Sequence, residues 1–271
     1  MLIQYSKKTT AILIILLLSI SGCSENSPNA IDWNTVAPGL TYAHITLNQD
    51  TTQTPKELIY VSIDPKKFKF QIYQNSDPKK SKTLKTIQEE TKSMLAFNGS
   101  FFDANFKPLG LLISSGKELH PISPSELSNG IFTIDKNGDS ELTSLQNSEE
   151  NKQIEPDFAI QNGPILLNQK GKIMFPKETG KTASRTLIGK DKNGNVIVIV
   201  LHQSLFQANN TMTLFEIANL LKNAPELKDF GLTSVLNLDG GPSTGIFINN
   251  ENFTETGAIQ NAVTVSAIIS P

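Results

Sequence analysis

Short apolar runs broken by turn residues dominate the pattern of this chain. Strand-like segments are expected at Thr41–Leu47, Leu58–Ile63, Phe68–Tyr73, Leu95–Phe97, Leu109–Ile113, Ile131–Ile134, Phe158–Ile160, Ile165–Leu167, Thr186–Ile188, Val196–Leu201, Val235–Leu238, Ile246–Ile248 and Val263–Ile269. Some alternate strictly, as in Phe68-Lys69-Phe70-Gln71-Ile72-Tyr73. Lys136-Asn137-Gly138-Asp139 and Lys192-Asn193-Gly194-Asn195 read as hairpin turns, because Asn-Gly tolerates positive φ at both central positions. Two segments have helical period instead. Thr83–Ser93 carries Leu84 and Ile87, and Thr213–Lys222 places Leu214, Ile217, Ala218 and Leu221 on one face. Thr213 with Glu216 three residues later forms a capping box, a pairing that satisfies orphan amides at a helix start. Ser140–Pro156 is the most polar stretch and reads as a surface loop or lid. The pattern predicts an α+β fold, a β-rich mixed sheet core with a few flanking helices, in a single domain.

The N-terminus departs from this pattern. Lys7 and Lys8 precede an uncharged run centred on 11–18, and no charge returns until Glu25. Spanning a bilayer takes roughly 20 apolar residues, and this run has the proportions of a secretory signal. It ends in Ile20-Ser21-Gly22-Cys23, which resembles the bacterial lipobox. That reading makes 1–22 a signal peptide and Cys23 an acylated, palmitate-bearing N-terminus. Residues 23–34, polar and containing Pro28, become the tether. The folded domain is expected over 35–271, its first residues lying near Trp33. The expected location is the cell envelope, facing outside the cytoplasm, with the outer membrane implied by Ser24 in a Gram-negative host. Several acyl chains anchor a protein where one does not.

Composition narrows the function classes. The chain has 271 residues, with Lys plus Arg 24, Asp plus Glu 26 and a net charge of −2, so the basic stripe of a nucleic-acid binder is lacking. Cys23 is the one cysteine, which rules out a disulfide scaffold and a cysteine zinc site. At 38% hydrophobic and 18% charged, the chain can bury a core.

Four segments carry more chemistry than scaffold needs: Asn98-Gly99-Ser100-Phe101-Phe102-Asp103, Gln161-Asn162-Gly163-Pro164, Ser184-Arg185-Thr186, and Leu238-Asp239-Gly240-Gly241-Pro242-Ser243-Thr244. Taken singly, the Asn-Gly and Asp-Gly pairs read as turns and Arg185 as a surface residue. Together they suggest oxyanion binding. Paired glycines let amides approach a ligand and form an anion nest. An Arg fork matches two phosphate oxygens. Asn98 and Asn162 can bond a phosphate or a sugar hydroxyl. Asp239 ends an apolar strand, where burial raises a carboxyl pKa toward proton-transfer work.

These segments resemble the phosphodiester glycosidase family. The likeness continues through Pro108-Leu109-Gly110-Leu111, Asn129-Gly130-Ile131-Phe132, Thr213–Ala218 and Asn261-Ala262, covering roughly 90–271. Ser100 replaces a glycine common in relatives, and Asn162 replaces their Ser or Gly. The resemblance implies an envelope-anchored hydrolase that cleaves sugar-1-phosphodiesters such as GlcNAc-1-phosphodiesters. In an envelope, the substrate would be a teichoic-acid-like, capsular or other glycan phosphodiester. It implies that Arg185, the amides of Gly240 and Gly241, and the Ser243 hydroxyl hold the phosphodiester. Asp239 is then the acid, base or nucleophile. Asn98, Gly99, Ser100, Asn162, Thr244 and Asn261 complete the substrate site.

A glycosidase normally uses two carboxylates. Asp103 and Glu216 are the candidates for the second, though Glu216 is already explained by its cap. A phosphate leaving group is acidic enough that one carboxylate with Arg185 can suffice. His44 reads as structural, while His120 and His202 lie where they could approach the site. No cofactor or required metal is expected, although Asp239 and Asp103 are oxygen ligands available to a divalent cation. Expected partners are a glycan or sugar-phosphate polymer and the membrane, with no nucleic acid. Two competing readings remain open: a non-catalytic lipoprotein that binds glycans or phospho-polymers, and a phosphodiesterase that breaks the P–O bond.

Overall fold

The computed structural model describes residues 31–47, 56–77, 80, 82–147, 155–174, 180–202, 211–249, 251–253 and 259–268. The signal segment, Cys23 and most of the expected tether lie outside the described residues.

The chain opens with β1 (Trp33–Ala37), β2 (Leu40–Leu47), β3 (Lys56–Ile63) and β4 (Phe68–Gln74). Helix α1 (Leu84–Thr91) starts at Thr83, whose side chain accepts from the Thr86 amide, and leads into β5 (Leu95–Asn98). Then come β6 (Leu112–Ser114), β7 (Lys117–His120), β8 (Gly130–Asp135), β9 (Ser140–Ser144), β10 (Pro156–Asn162) and β11 (Ile165–Leu167). The hairpin β12 (Arg185–Asp191) and β13 (Val196–Leu201) precedes α2 (Leu214–Asn223) and α3 (Pro225–Lys228). The chain ends with β14 (Leu232–Asn237), β15 (Ile246–Ile248), β16 (Glu251–Asn252) and β17 (Asn261–Ala267). The expected capping box forms at α2, with Thr213 accepting from the Glu216 amide and Glu216 accepting from the Thr213 amide.

The strands form a seven-stranded sheet ordered β1-β2-β3-β13-β12-β14-β11, a five-stranded sheet β7-β6-β10-β8-β9, and a five-stranded sheet β16-β15-β5-β17-β4. The β-rich α+β expectation holds. Within it, the expected mixed sheet gives way to antiparallel neighbours in each described strand pair.

Strand β13 shows how sequence sets position. Val196, Val198 and Val200 pack toward the other sheets, with Phe70, Phe97, Phe132 and Phe158. Ile197, Ile199 and Leu201 pack on the opposite face, against Ile217, Ala218 and Leu221 of α2. A strand covered on both sides must be apolar throughout, and burial of each such side chain is worth roughly 1.5–3 kcal/mol. Helix α1 seals a smaller cluster through Leu84 and Ile87 against Ala96, Phe247 and Ala262. Residues 31–271 form one compact unit, whose first strand begins at Trp33.

Two local expectations are corrected. Ser140–Ser144 is not loop but strand β9, paired with β8. Ser140 and Leu142 point inward while Glu141 and Thr143 are half exposed, an alternation masked by the segment's polar composition. The Asn-Gly hairpins are not turns with two positive-φ residues. Gly138 (φ 82°) and Gly194 (φ 89°) alone take the left-handed region. The preceding Asp135 and Asp191 each accept two backbone amides through Oδ1 and set the turn.

Candidate functional site

Five strand ends meet at one corner of the fold. Strand β5 ends at Asn98, β10 at Asn162, β12 starts at Arg185, β14 ends at Asn237, and β17 starts at Asn261. Strands β12 and β14 are neighbours with Leu187 opposite Asn237, so the same register sets Arg185 across from Asp239. Two further bonds extend that pairing past the sheet: Leu238 N donates to Thr186 O at 2.9 Å, and Gly241 N donates to Ser184 O at 2.9 Å. The guanidinium and the carboxyl therefore share a corner, as the sequence implied.

Arg185 is half-buried. Its Nε donates to Met212 O (3.4 Å) and its Nη2 to Lys181 O (3.0 Å), both backbone carbonyls. It makes no ion pair with a carboxylate of the described residues. Burial lowers its pKa, yet a guanidinium keeps its charge at any ordinary pH. Nη1 lies 3.8 Å from the point a β-carbon on Gly240 would occupy. Asp239 follows on the other side of Gly240. Burial pushes its carboxyl above the usual aspartate range, and bonds from the Ser243 hydroxyl and the Gly240 amide (2.9 Å) pull partly back. Asp239, Gly240, Gly241 and Ser243 stay half-buried at this edge, and Pro242 is exposed.

The expected anion nest is not formed. Gly240 N is spent on Asp239 Oδ1, Gly241 N on Ser184 O, and Thr244 N on Gly241 O. These amides fold the short helical turn Gly241–Ser243 rather than presenting themselves to a ligand. The glycines have other reasons. Gly241 has φ 63°, and open space faces its missing side chain. A β-carbon on Gly240 would sit 2.8 Å from Ser184 O.

The other expected contacts form a buried floor. Asn98 is 1% exposed and both ends of its amide are hydrogen-bonded. It accepts from Thr186 Oγ1 (2.5 Å) and Gly245 N (3.0 Å) and donates to Asp239 O (2.7 Å). Asn261 Oδ1 accepts from Ser100 N at 2.6 Å, and its Nδ2 donates to Ser100 O at 3.1 Å. Gly99 N donates to Asn261 O, and Gly99 O accepts from Asp239 N at 3.1 Å. Asn162 Oδ1 accepts from Phe101 N at 3.3 Å. Asn98, Gly99, Ser100, Asn162, Thr244 and Asn261 are all buried, and the bonds of Asn98 and Gly99 hold the Asp239 turn in place. Their polarity matched a ligand site because a buried strut and a ligand contact use the same amides.

Three floor residues were not assigned roles from sequence. Thr186 donates to Asn98. Asn237 donates to Gly163 O at 2.8 Å. Gln161 accepts from Leu111 N and Ser123 N and donates to the carbonyls of Ser123 and Ser128, so one amide ties two loops to β10. Their signal was a polar residue at an inward position of an otherwise apolar strand. Asn162 Nδ2, Asn237 Oδ1 and Thr244 Oγ1 are buried and unpartnered among the described residues. Such atoms cost about 1–3 kcal/mol each and concentrate here.

Both second-carboxylate candidates are engaged in local structure. Asp103 Oδ1 accepts the amides of Asn105 and Lys107, which hold its carboxyl below the usual range. Glu216 caps α2. Among the described residues no three metal-ligating side chains gather. His120 Nδ1 lies 3.0 Å from Gly110 O, and burial lowers the pKa values of His44 and His202. The four defined cavities, including one of 780 Å³ beside Asn129 and Ile165, are lined by neither Arg185 nor Asp239.

The phosphodiester glycosidase family model matches residues 91–267. The catalytic domain of zebrafish N-acetylglucosamine-1-phosphodiester α-N-acetylglucosaminidase, solved in a form auto-inhibited by its pro-peptide, superposes with TM-score 0.64 at 19% identity, covering 86% of this chain and 85% of that one. A hypothetical protein from Synechocystis gives TM-score 0.63 at 17% identity, over 87% of this chain and 63% of that one. A putative exported protein from Burkholderia pseudomallei K96243 gives 0.54 at 10%, over 78% and 74%. The uncharacterised Escherichia coli (strain K12) protein YigE is 27% identical over 133 residues, 45% of this chain and half of that protein's length.

Proposed function

The chain belongs to the phosphodiester glycosidase family, and from that premise we propose that it hydrolyses sugar-1-phosphodiesters at the bond between sugar C1 and phosphate oxygen. The observation that carries this reading is the Arg185 guanidinium, which has no ion pair among the described residues, anchored by two carbonyls beside Gly240 and one residue from a half-buried carboxyl. A cation fixed by neutral acceptors still wants an anion, and the planar fork suits a phosphodiester. Asp239, poised by burial nearer neutrality than an ordinary aspartate, takes a proton from the water that attacks C1. The C1–O bond breaks, its electron pair leaves with the phosphomonoester, and Arg185 stabilises that charge. Because the leaving group is acidic, no second carboxyl need protonate it. The natural substrate is a glycan phosphodiester of a cell envelope, where acylation of Cys23 would hold the enzyme.

The test is a panel of sugar-1-phosphodiesters in ¹⁸O-labelled water. Label on sugar C1 supports the proposal. Label on phosphorus identifies P–O cleavage. Binding without turnover identifies a non-catalytic receptor. Asp239→Asn and Arg185→Ala should each lower kcat/KM by about 10²-fold or more, and unchanged rates in both would refute the site. Cys23→Ala should release a folded protein from membranes.

A further inference from the structure

Four turns in this fold share one plan. An Asp or Asn opens the turn, and its Oδ1 accepts the amides two and four residues on: Asp103 from Asn105 and Lys107, Asp135 from Asn137 and Asp139, Asn168 from Lys170 and Lys172, Asp191 from Asn193 and Asn195. The amide three residues on donates to the opening residue's carbonyl in all four. That residue takes the left-handed conformation, at φ 82° in Gly138, 64° in Gly171 and 89° in Gly194. In the first turn it is Phe106, at φ 64°. A side chain there is disfavoured, and a bulky one is an outlier that asks for a reason.

Folding does not supply the reason. Phe106 is 43% exposed, and so is Leu109 beside it. The Phe106 ring lies on Phe102, with centroids 5.9 Å apart and planes tilted by 35°. Phe102 is half-buried and bridges to Pro108. The result is a small aromatic shelf facing water. It is rooted in the candidate site: Phe101 N bonds Asn162, and Gly99 O accepts from Asp239 N. Phe102 follows Gly99 by three positions, so their Cα atoms lie within about 11 Å, the reach of one or two sugar rings.

We infer that Phe102 and Phe106 form a carbohydrate-stacking subsite that takes the apolar C–H face of a pyranose ring of the substrate. An aromatic face on the segment that leads out of the Asp239 corner suits a sugar phosphate, because the ring hydroxyls can stay in water while the C–H face leaves it. This inference rests on the proposed function and narrows it. The substrate is a glycan phosphodiester with a pyranose on the shelf, and the strain at Phe106 is retained for recognition.

Phe106→Gly tests it, since it restores the residue used by the three sister turns. The probe is a sugar-1-phosphodiester whose second alcohol is another pyranose. The variant should melt at or above the wild-type temperature and show KM about three- to tenfold higher, the loss falling on KM rather than kcat. A KM within twofold of wild type overturns the inference while leaving the hydrolase reading intact. A melting temperature lowered by several degrees overturns it too, because the ring would then be packing. If wild type does not turn the probe over, the hydrolase reading fails and calorimetric binding of the same probe decides the subsite. Binding weakened by Phe106→Gly supports it, and no binding, or binding left unweakened, overturns it.

Discussion

A β-carbon on Gly99 would sit 2.1 Å from Asn261 Oδ1. Gly99→Ala must therefore rotate the Asn261 amide out of place. That amide holds Ser100 at both ends, accepting from its N–H at 2.6 Å and donating to its carbonyl at 3.1 Å, in a region that is 2–4% exposed. Leaving a buried donor and acceptor without partners costs about 1–3 kcal/mol each, so Gly99→Ala should destabilise by about 2–5 kcal/mol. That is a large part of a typical total of about 5–15 kcal/mol. Asn261→Ala breaks the same bonds and should cost a similar amount. The double variant then has no clash and no bonds left to lose, so its cost should match Asn261→Ala alone. Urea denaturation of the four proteins measures the cycle, and the expected coupling is about 2–4 kcal/mol in the sub-additive sense. Additivity within about 0.5 kcal/mol, or a Gly99→Ala as stable as wild type, would refute the clamp. Because Gly99 O accepts from Asp239 N, both single variants should also lose kcat.

Ser243→Ala removes a hydrogen bond that favours the charged Asp239, so the limb of the kcat/KM pH profile that Asp239 controls should move to higher pH; a static limb means Asp239 does not control it. Asp239→Asn should be more stable than wild type at neutral pH. The folded pKa is raised, so wild type keeps its full stability below the unfolded value of about 3.9 and loses some as pH rises through the folded value. Urea midpoints at pH 4 and 7.5 should diverge, and parallel midpoints would contradict the burial. Arg185→Lys should lower kcat/KM by about 10²-fold despite keeping the charge, because one ammonium cannot bond two carbonyls and a phosphodiester fork together; activity within threefold of wild type would show that the fork is unused.

Much of the fold was legible from local pattern. The alternation of Phe68–Tyr73 and the uniform Val196–Leu201 run became strands, and the Thr213–Glu216 box capped a helix. Segments whose pairing partner defines them were harder. Strand β9 looks like loop until Ile134 and Phe132 face it. The run expected at Leu109–Ile113 pairs only from Leu112, because Gly110 lets the Gln161 side chain pass within 3.0 Å of where its β-carbon would be. The site was legible as a set of residues but not as two layers. Arg185 and Asp239 reach the surface, while Asn98 and Asn261 lie beneath with their amides already engaged. Nothing local distinguishes an amide aimed at a ligand from one aimed at a carbonyl 141 residues away.

The Asn-Gly dipeptides show why. At Gly138 and Gly194 the glycine is needed for its left-handed φ, a property of the turn itself. Gly99, Gly130 and Gly163 do not take positive φ, and each is needed because something else occupies the β-carbon's place. Asn261 Oδ1 lies at 2.1 Å from that point in Gly99, Leu236 Cδ1 at 2.5 Å in Gly130, and Leu127 O at 2.2 Å in Gly163. The intruding atoms come from distant stretches, so one dipeptide serves two physical ends. The consequences of substitution differ accordingly. Asn is tolerated in the left-handed region, so Gly194, which faces open space, can yield to it at modest cost, whereas a β-carbon on Gly138 would also sit 2.7 Å from the Pro65 carbonyl. Leu236 is a side-chain tip that can move, whereas the Leu127 carbonyl is backbone and cannot be trimmed. Of these three Asn-Gly glycines, Gly163 is therefore the one that no compensating side-chain change should rescue.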